Sequence, residues 1–201
     1  MDHLEEHRDD EGAKLGMWVF IFTEILLFGG LFLVYAVMRA GYSDDFHQAA
    51  HHLNAFIGSI NTLVLLISSM TVAMSITAVQ KKNTKLALIL LFITLICAGI
   101  FLINKYFEWG HKFHIGLYPG SDLMVTLKHG TVLFFSLYFL MTGLHVLHLI
   151  IGAVILTIAM IKVKTGAINS DRYVLLENGG LYWHLVDLIW IFLFPLLYLI
   201  T

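Results

Sequence analysis

Five apolar stretches, at roughly residues 16–38, 53–79, 86–107, 131–161 and 173–200, limit what this chain can fold into more than any other feature. Each is at or above the length of about 20 residues that a helix needs to cross about 30 Å of hydrocarbon. The runs are continuous rather than alternating. Backbone polar groups in lipid must also be satisfied within the segment, so helices and not strands are expected. Of the 201 residues, 59% are hydrophobic and 13% charged, whereas about a quarter are charged in an average soluble domain. The expected fold is therefore an all-α integral membrane protein. It is a five-transmembrane-helix bundle forming one domain over 16–201, preceded by an acidic tail at 1–15 and containing no repeat or low-complexity segment.

Charge sets further limits. The formal net charge is -2 and there is no basic run, which removes the electrostatic footprint of a nucleic-acid binder. The single cysteine, Cys97, allows no internal disulfide and no thiolate metal cluster from this chain alone. The tail has neither an apolar core nor a cleavage site, so no signal peptide is expected and the first apolar segment should direct insertion. Five spans put the termini on opposite sides. Arg8, Lys14, Lys81, Lys82, Lys85, Lys162, Lys164 and Arg172 fall on the N-terminal side, and Arg39, Lys105, Lys112 and Lys128 on the other. The positive-inside rule then predicts a cytoplasmic N-terminus and an external C-terminus. Trp18, Tyr42, Trp109, Tyr118, Tyr173 and Tyr198 suit an interfacial aromatic belt. Two polar segments, 41–52 with Asp44, Asp45, His47, His51 and His52, and 108–114 with His111 and His114, are expected as external loops. Imidazoles can ligate zinc or copper, but no tight ligand spacing is present, so both segments are read as solvated.

Polar groups inside the apolar stretches are the candidate functional residues. Glu24 lies on the order of 10 to 15 Å into the first helix, where an ionised acidic side chain costs roughly 2.5 to 3.5 kcal/mol on insertion scales. His145 and His148 share one face of the fourth helix, with Gly152 beneath His145. On the last helix Glu177 and His184 nearly eclipse, and Asp187 lies about 60° away, giving that helix a polar face. The second helix carries Gly58, Thr62 and Ser69 close to one line, a pattern for close helix packing. Haem ligation would need two imidazoles on opposite sides of the macrocycle, which His145 and His148 on adjacent turns cannot supply, although His184 could partner either. The preferred reading is an internal hydrogen-bonded network joining Glu24, His145, His148, Glu177 and His184, with Asp187 in the same polar seam. The alternatives are a haem-binding membrane cytochrome b and a small proton transporter using Glu24, Glu177 and Asp187 as a relay; no inverted repeat or pair of broken helices supports the latter.

Three motifs in order resemble subunit III of the haem-copper cytochrome c oxidase family, in its short five-helix form. They are Thr23-Glu24-Ile-Leu-Leu-Phe28, Thr142-Gly143-Leu-His145-Val-Leu-His148-Leu-Ile-Ile-Gly152, and Glu177 followed by Tyr182-Trp183-His184-Leu-Val-Asp187-Leu-Ile-Trp190. The resemblance implies a non-catalytic core subunit of a terminal oxidase that reduces oxygen to water and pumps protons, in a bacterial cytoplasmic membrane. It implies no cofactor on this chain, with haems and copper on partner subunits I and II. It also implies bound phospholipid in a cleft and membership of a larger respiratory supercomplex. Glu24, His145, His148, Glu177, His184 and Asp187 would form a structural network serving lipid, oxygen or proton access. The larger family form has seven helices and this chain begins at the equivalent of the third, so one wall of the lipid cleft is expected from elsewhere. Asn104-Lys-Tyr-Phe-Glu108-Trp is a looser match to the family's Glu-Tyr element. Short chains of this type also accompany quinol oxidases and nitric oxide reductases, which leaves the electron donor open.

Overall fold

A computed structural model describes residues 9–200, all of whose regular elements are helices. In chain order they are α1 (Asp10–Gly41), α2 (Ser43–Ala50), α3 (Ala55–Gln80), α4 (Thr84–His114), α5 (Asp122–Thr126), α6 (His129–Lys164) and α7 (Val174–Tyr198). Among the described residues, α1, α3, α4, α6 and α7 are long and apolar enough to cross a membrane. One end of the bundle carries Asp9, the α3–α4 turn and the α6–α7 connection; this is the near end. The far end carries α2, α5 and the C-terminus of α7. Arg8 and the first part of the acidic tail lie outside the described residues.

The helices overrun the apolar stretches. α1 begins at Asp10 because Asp9 caps it, its carboxylate accepting from Gly12 N at 2.7 Å. Asn54 and Asn83 cap α3 and α4 in the same way. α3 ends in a Schellman turn, with Asn83 N bonded to Ala78 O and Lys82 N to Val79 O, both at 2.9 Å, and Lys82 at φ 58°. A lysine in that left-handed position gives no turn signal in the sequence.

Two expected loops are helical. Segment 41–52 holds α2, whose Phe46, Ala49 and Ala50 are buried. Segment 108–114 continues α4 to His114. Charged residues interrupt the apolar run there, but several of them turn inward. Lys105 and Lys112 are 1% and 2% exposed and are not loop charges at all. Tyr198, expected in the interfacial belt, is buried too.

α1 docks through a narrow seam. Its buried residues are Ile21, Phe28 and Tyr35, each seven apart, with Glu24 and the part-buried Leu31 at the intervening positions. That is the a/d spacing of a coiled-coil face, and Glu24 occupies a position that leucine would ordinarily fill. Met17, Phe32 and Met38 flank the seam part-buried, and most of the remaining apolar side chains of α1 are exposed. The seam ends at Tyr35, whose hydroxyl donates to Leu196 O on α7. Leu196 is in the last turn, where helical carbonyls lose their partners.

α7 is the most buried span and meets α3 through the small-residue line. Gly58 lies against Phe194 and Tyr198, and Trp190 Nε1 donates to Thr62 Oγ1 at 3.0 Å. Ser69 bonds His184 Nδ1 at 2.6 Å, while the adjacent Ser68 accepts from Trp183 Nε1 at 3.0 Å. A Cβ built on Gly152 would stand 2.9 Å from Trp183 Cε3 and 3.1 Å from Tyr182 Cε1, so the α6–α7 approach depends on that glycine.

Candidate functional site

Glu24 and His148 meet across the α1–α6 interface. His148 Nε2 lies 3.0 Å from Glu24 Oε2, and both side chains are about nine-tenths buried. The other imidazole nitrogen, Nδ1, is 2.8 Å from Leu144 O, so it carries the proton that such a contact requires. Nε2 therefore faces Glu24 Oε2 at ion-pair distance while Nδ1 is engaged elsewhere. Phe28 stands edge-on to the His148 ring at 5.5 Å. Tyr182 stacks beside it at 6.4 Å and donates to His148 O at 3.2 Å.

This pair forms the polar floor of a groove of about 550 Å³ between α1, α6 and α7. Its walls are apolar, from Met17, Phe20, Ile151, Ile155 and Leu175. At the near end Asn178 Nδ2 donates to Ala13 O at 3.1 Å, and Lys14 pairs with Glu177 at 2.8 Å. The groove suits an apolar chain or a small apolar molecule that meets one acid–base pair at depth.

The six residues singled out in sequence are not joined in one hydrogen-bonded network. Glu24 and His148 pair. Glu177 instead meets Lys14 and is about one-third exposed. His184 is held by Ser69 of α3. His145 is fully buried between the rings of Phe101 and Trp190, at 5.4 and 5.2 Å, and neither nitrogen has a hydrogen bond among the described residues. Asp187 is 3% exposed with neither oxygen bonded, its polar neighbour being Ser69. A shared helix face therefore did not imply shared partners: α7 touches α1, α3 and α6, and Glu177 pairs with α1 while His184 bonds to α3.

A second polar cluster lies at the far end. Lys105 Nζ contacts Glu108 Oε2 at 3.3 Å, Tyr198 Oη at 2.8 Å and Tyr138 Oη at 3.2 Å. Both tyrosine hydroxyls donate to Glu108 Oε1 at 2.6 Å. Trp190 and Tyr138 add ring faces 5.2 and 5.0 Å from the ammonium. The cluster is a buried ion pair whose remaining hydrogen-bonding capacity is taken by phenols. The sequence signal for it was Lys105 and Glu108 at i, i+3 within an apolar helix.

Five membrane-crossing helices that engage their buried polar groups mostly with one another define an integral membrane protein, and no cluster of three or more metal-ligating side chains is found among the described residues. The family model for cytochrome c oxidase subunit III matches residues 3–201. The chain is 32% identical over 204 residues to a cytochrome c oxidase subunit 3 of Thermostichus vulcanus, covering all of this chain and 92% of that one. It is also 32% identical over 197 residues to a probable quinol oxidase subunit 3 of Staphylococcus saprophyticus, covering 97% and 93%. A haem-copper oxidase subunit I+III of Aeropyrum pernix is 33% identical over 196 residues, covering 93% of this chain and 22% of that longer protein. The chain belongs to the cytochrome c oxidase subunit III family.

Proposed function

We propose that this chain is the non-catalytic third subunit of a haem-copper terminal oxidase, packed against subunit I, which with subunit II holds the haems and copper. The observation that carries this reading is the whole-chain family match together with the Aeropyrum pernix relative, in which a region like this chain is covalently part of subunit I. Within that role the Glu24–His148 groove holds apolar material, a phospholipid chain or oxygen, beside subunit I, and its acid–base pair supports proton supply. The positive-inside count supports a cytoplasmic near end. With Lys105 and Lys112 buried, Arg39 and Lys128 remain as far-end surface cations, against Lys14, Lys81, Lys82, Lys85, Lys162, Lys164 and Arg172 at the near end.

Removal of this chain from the purified oxidase tests the reading. Initial turnover should persist while activity decays faster during turnover, and adding the chain back should restore the lifetime. Immediate and complete loss of a haem from the complex would contradict it. The similarity to a probable quinol oxidase subunit 3 supports a second reading in which the donor is quinol. Oxidation of cytochrome c by the purified complex would exclude that alternative.

A further inference from the structure

α3, α4, α6 and α7 pack as a closed ring, each against the next, and α1 lies outside it against α6 and α7. α1 and α3 therefore flank α7 with little contact between themselves, which leaves one face of α7 uncovered between them. Helical spacing puts His184, Leu188, Ile191 and Pro195 on that face, and the last three are exposed. At one edge Phe32 of α1 meets Phe192 of α7, with ring centroids 6.1 Å apart. At the other, Ser69 of α3 meets His184.

His184 is the unusual member. Ser69 engages its Nδ1 at 2.6 Å, while Nε2 reaches the surface of the bundle with no bond among the described residues. The residue stands ten positions into α7, about 15 Å along at 1.5 Å per residue, which is the middle of a hydrocarbon layer about 30 Å thick. Hydrocarbon offers neither donor nor acceptor, so an imidazole nitrogen left facing it is costly. One further group on this face lacks its ordinary partner: Pro195 has no N–H to give the Ile191 carbonyl. A face whose other side chains are apolar thus presents an imidazole nitrogen and a backbone acceptor at membrane depth. A neighbouring helix can satisfy both, and lipid chains can satisfy neither.

We propose that this face of α7 receives a transmembrane helix of subunit I, and that a serine, threonine, asparagine or glutamine of that helix hydrogen-bonds His184 Nε2. The depth of the imidazole selects a membrane helix over a peripheral partner. Subunit I is the neighbour supplied by the role proposed above, on which this assignment rests. In the Aeropyrum pernix protein a region like this chain shares one polypeptide with subunit I, which keeps the two side by side. His184 is then held from both sides, by Ser69 within the chain and by the partner helix outside it.

The test uses the assembled complex in native membranes, with photoreactive benzoylphenylalanine in place of Leu188 or Ile191, or in place of Phe92, which is exposed on α4, the ring helix that does not pack on α7. Irradiation and peptide mass spectrometry should join positions 188 and 191 to a membrane-spanning peptide of subunit I, and should not join position 92 to it. His184→Leu should lower the subunit I that a tagged chain retains through a detergent wash by about tenfold, the worth of one hydrogen bond. His184→Gln keeps a donor and an acceptor and should restore most of it. Because His184 also holds Ser69, Ser69→Ala is the second variant: it removes the bond inside the chain, keeps the imidazole, and should change retention much less. Equal loss of subunit I in His184→Leu and Ser69→Ala would assign the imidazole to the chain's own stability and overturn the proposal. Cross-links from positions 188 and 191 to lipid alone, to a second copy of this chain or to another protein would overturn it as well. A chain that co-purifies with subunit I but is joined to it only from position 92 overturns this face and leaves the subunit III reading standing. A chain isolated without subunit I overturns that reading itself, and the docking face with it.

Discussion

Glu24 and His148 stand 3.0 Å apart on helices that otherwise meet through apolar side chains, and the Leu144 carbonyl, 2.8 Å from Nδ1, fixes which imidazole nitrogen faces the acid. The two substitutions that disrupt this pair should therefore have unequal effects. Glu24→Gln offers an amide donor to Nε2 at nearly the same volume, so its cost should stay below about 1 kcal/mol. His148→Ala strands the acid beside an apolar groove and should cost about 1–3 kcal/mol. Unfolding of the purified chain in mixed detergent micelles measures both. Equal costs would show that the pair is not coupled.

The far-end ion pair should behave asymmetrically too. Removing one charge of a buried pair costs about 3–5 kcal/mol, because the other charge is left uncompensated. Glu108→Gln leaves the Lys105 ammonium against two phenols and should fall in that range. Lys105→Met combined with Glu108→Gln should recover much of the loss. A double-mutant cycle on detergent unfolding checks this, with additive single effects as the contrary result.

Two glycines of α6 provide a paired test of packing. Gly152 faces Trp183 and Tyr182, whereas nothing lies within 4 Å of a Cβ on Gly143. Gly152→Ala should push α6 from α7 and cost about 1–3 kcal/mol. Gly143→Ala should be neutral or stabilising by about 0.5–1 kcal/mol, since it only removes helix-interior glycine. Thermal melts of the two variants, read by near-ultraviolet dichroism of the tryptophans, decide the matter.

Asp187 is buried with no hydrogen bond to either oxygen. A change that removes its acidity without changing its shape should therefore cost little: Asp187→Asn should alter stability by less than about 1 kcal/mol. A large loss on unfolding would mean that the carboxyl is held by a hydrogen bond, with Ser69 as the neighbour in this chain.

The spans were legible because continuous apolar runs of that length have few other uses, and α7's polar stripe was legible from helical periodicity. The ends were not. Hydropathy cannot tell a polar residue that leaves a helix from one that turns inward, so Glu108, His111 and Lys112 read as a loop while α4 continued through them. α2 was hidden in the same way, its Phe46, Ala49 and Ala50 set among charged neighbours. At the site, periodicity placed Glu177, His184 and Asp187 on one side of α7, but Glu177 turns to α1 whereas His184 and Asp187 face Ser69 of α3. Lys14, lying on another helix, was not foreseeable as the partner of Glu177. The Glu24–His148 contact was within reach of the sequence, since both are deep and polar; the Lys105–Tyr138–Tyr198 cluster required knowing which helices adjoin.

In the proposed role this chain supports redox chemistry carried by a neighbour. The most direct measurement is isolation of the affinity-tagged chain from native membranes in mild detergent, with protein identification and a reduced-minus-oxidised visible spectrum before and after the chain is stripped from its partners. A large haem-copper subunit should appear in equal amount, with the haem spectrum remaining entirely with that subunit. A haem spectrum that stays with this chain alone, and is lost on His148→Ala or His184→Ala, would contradict it.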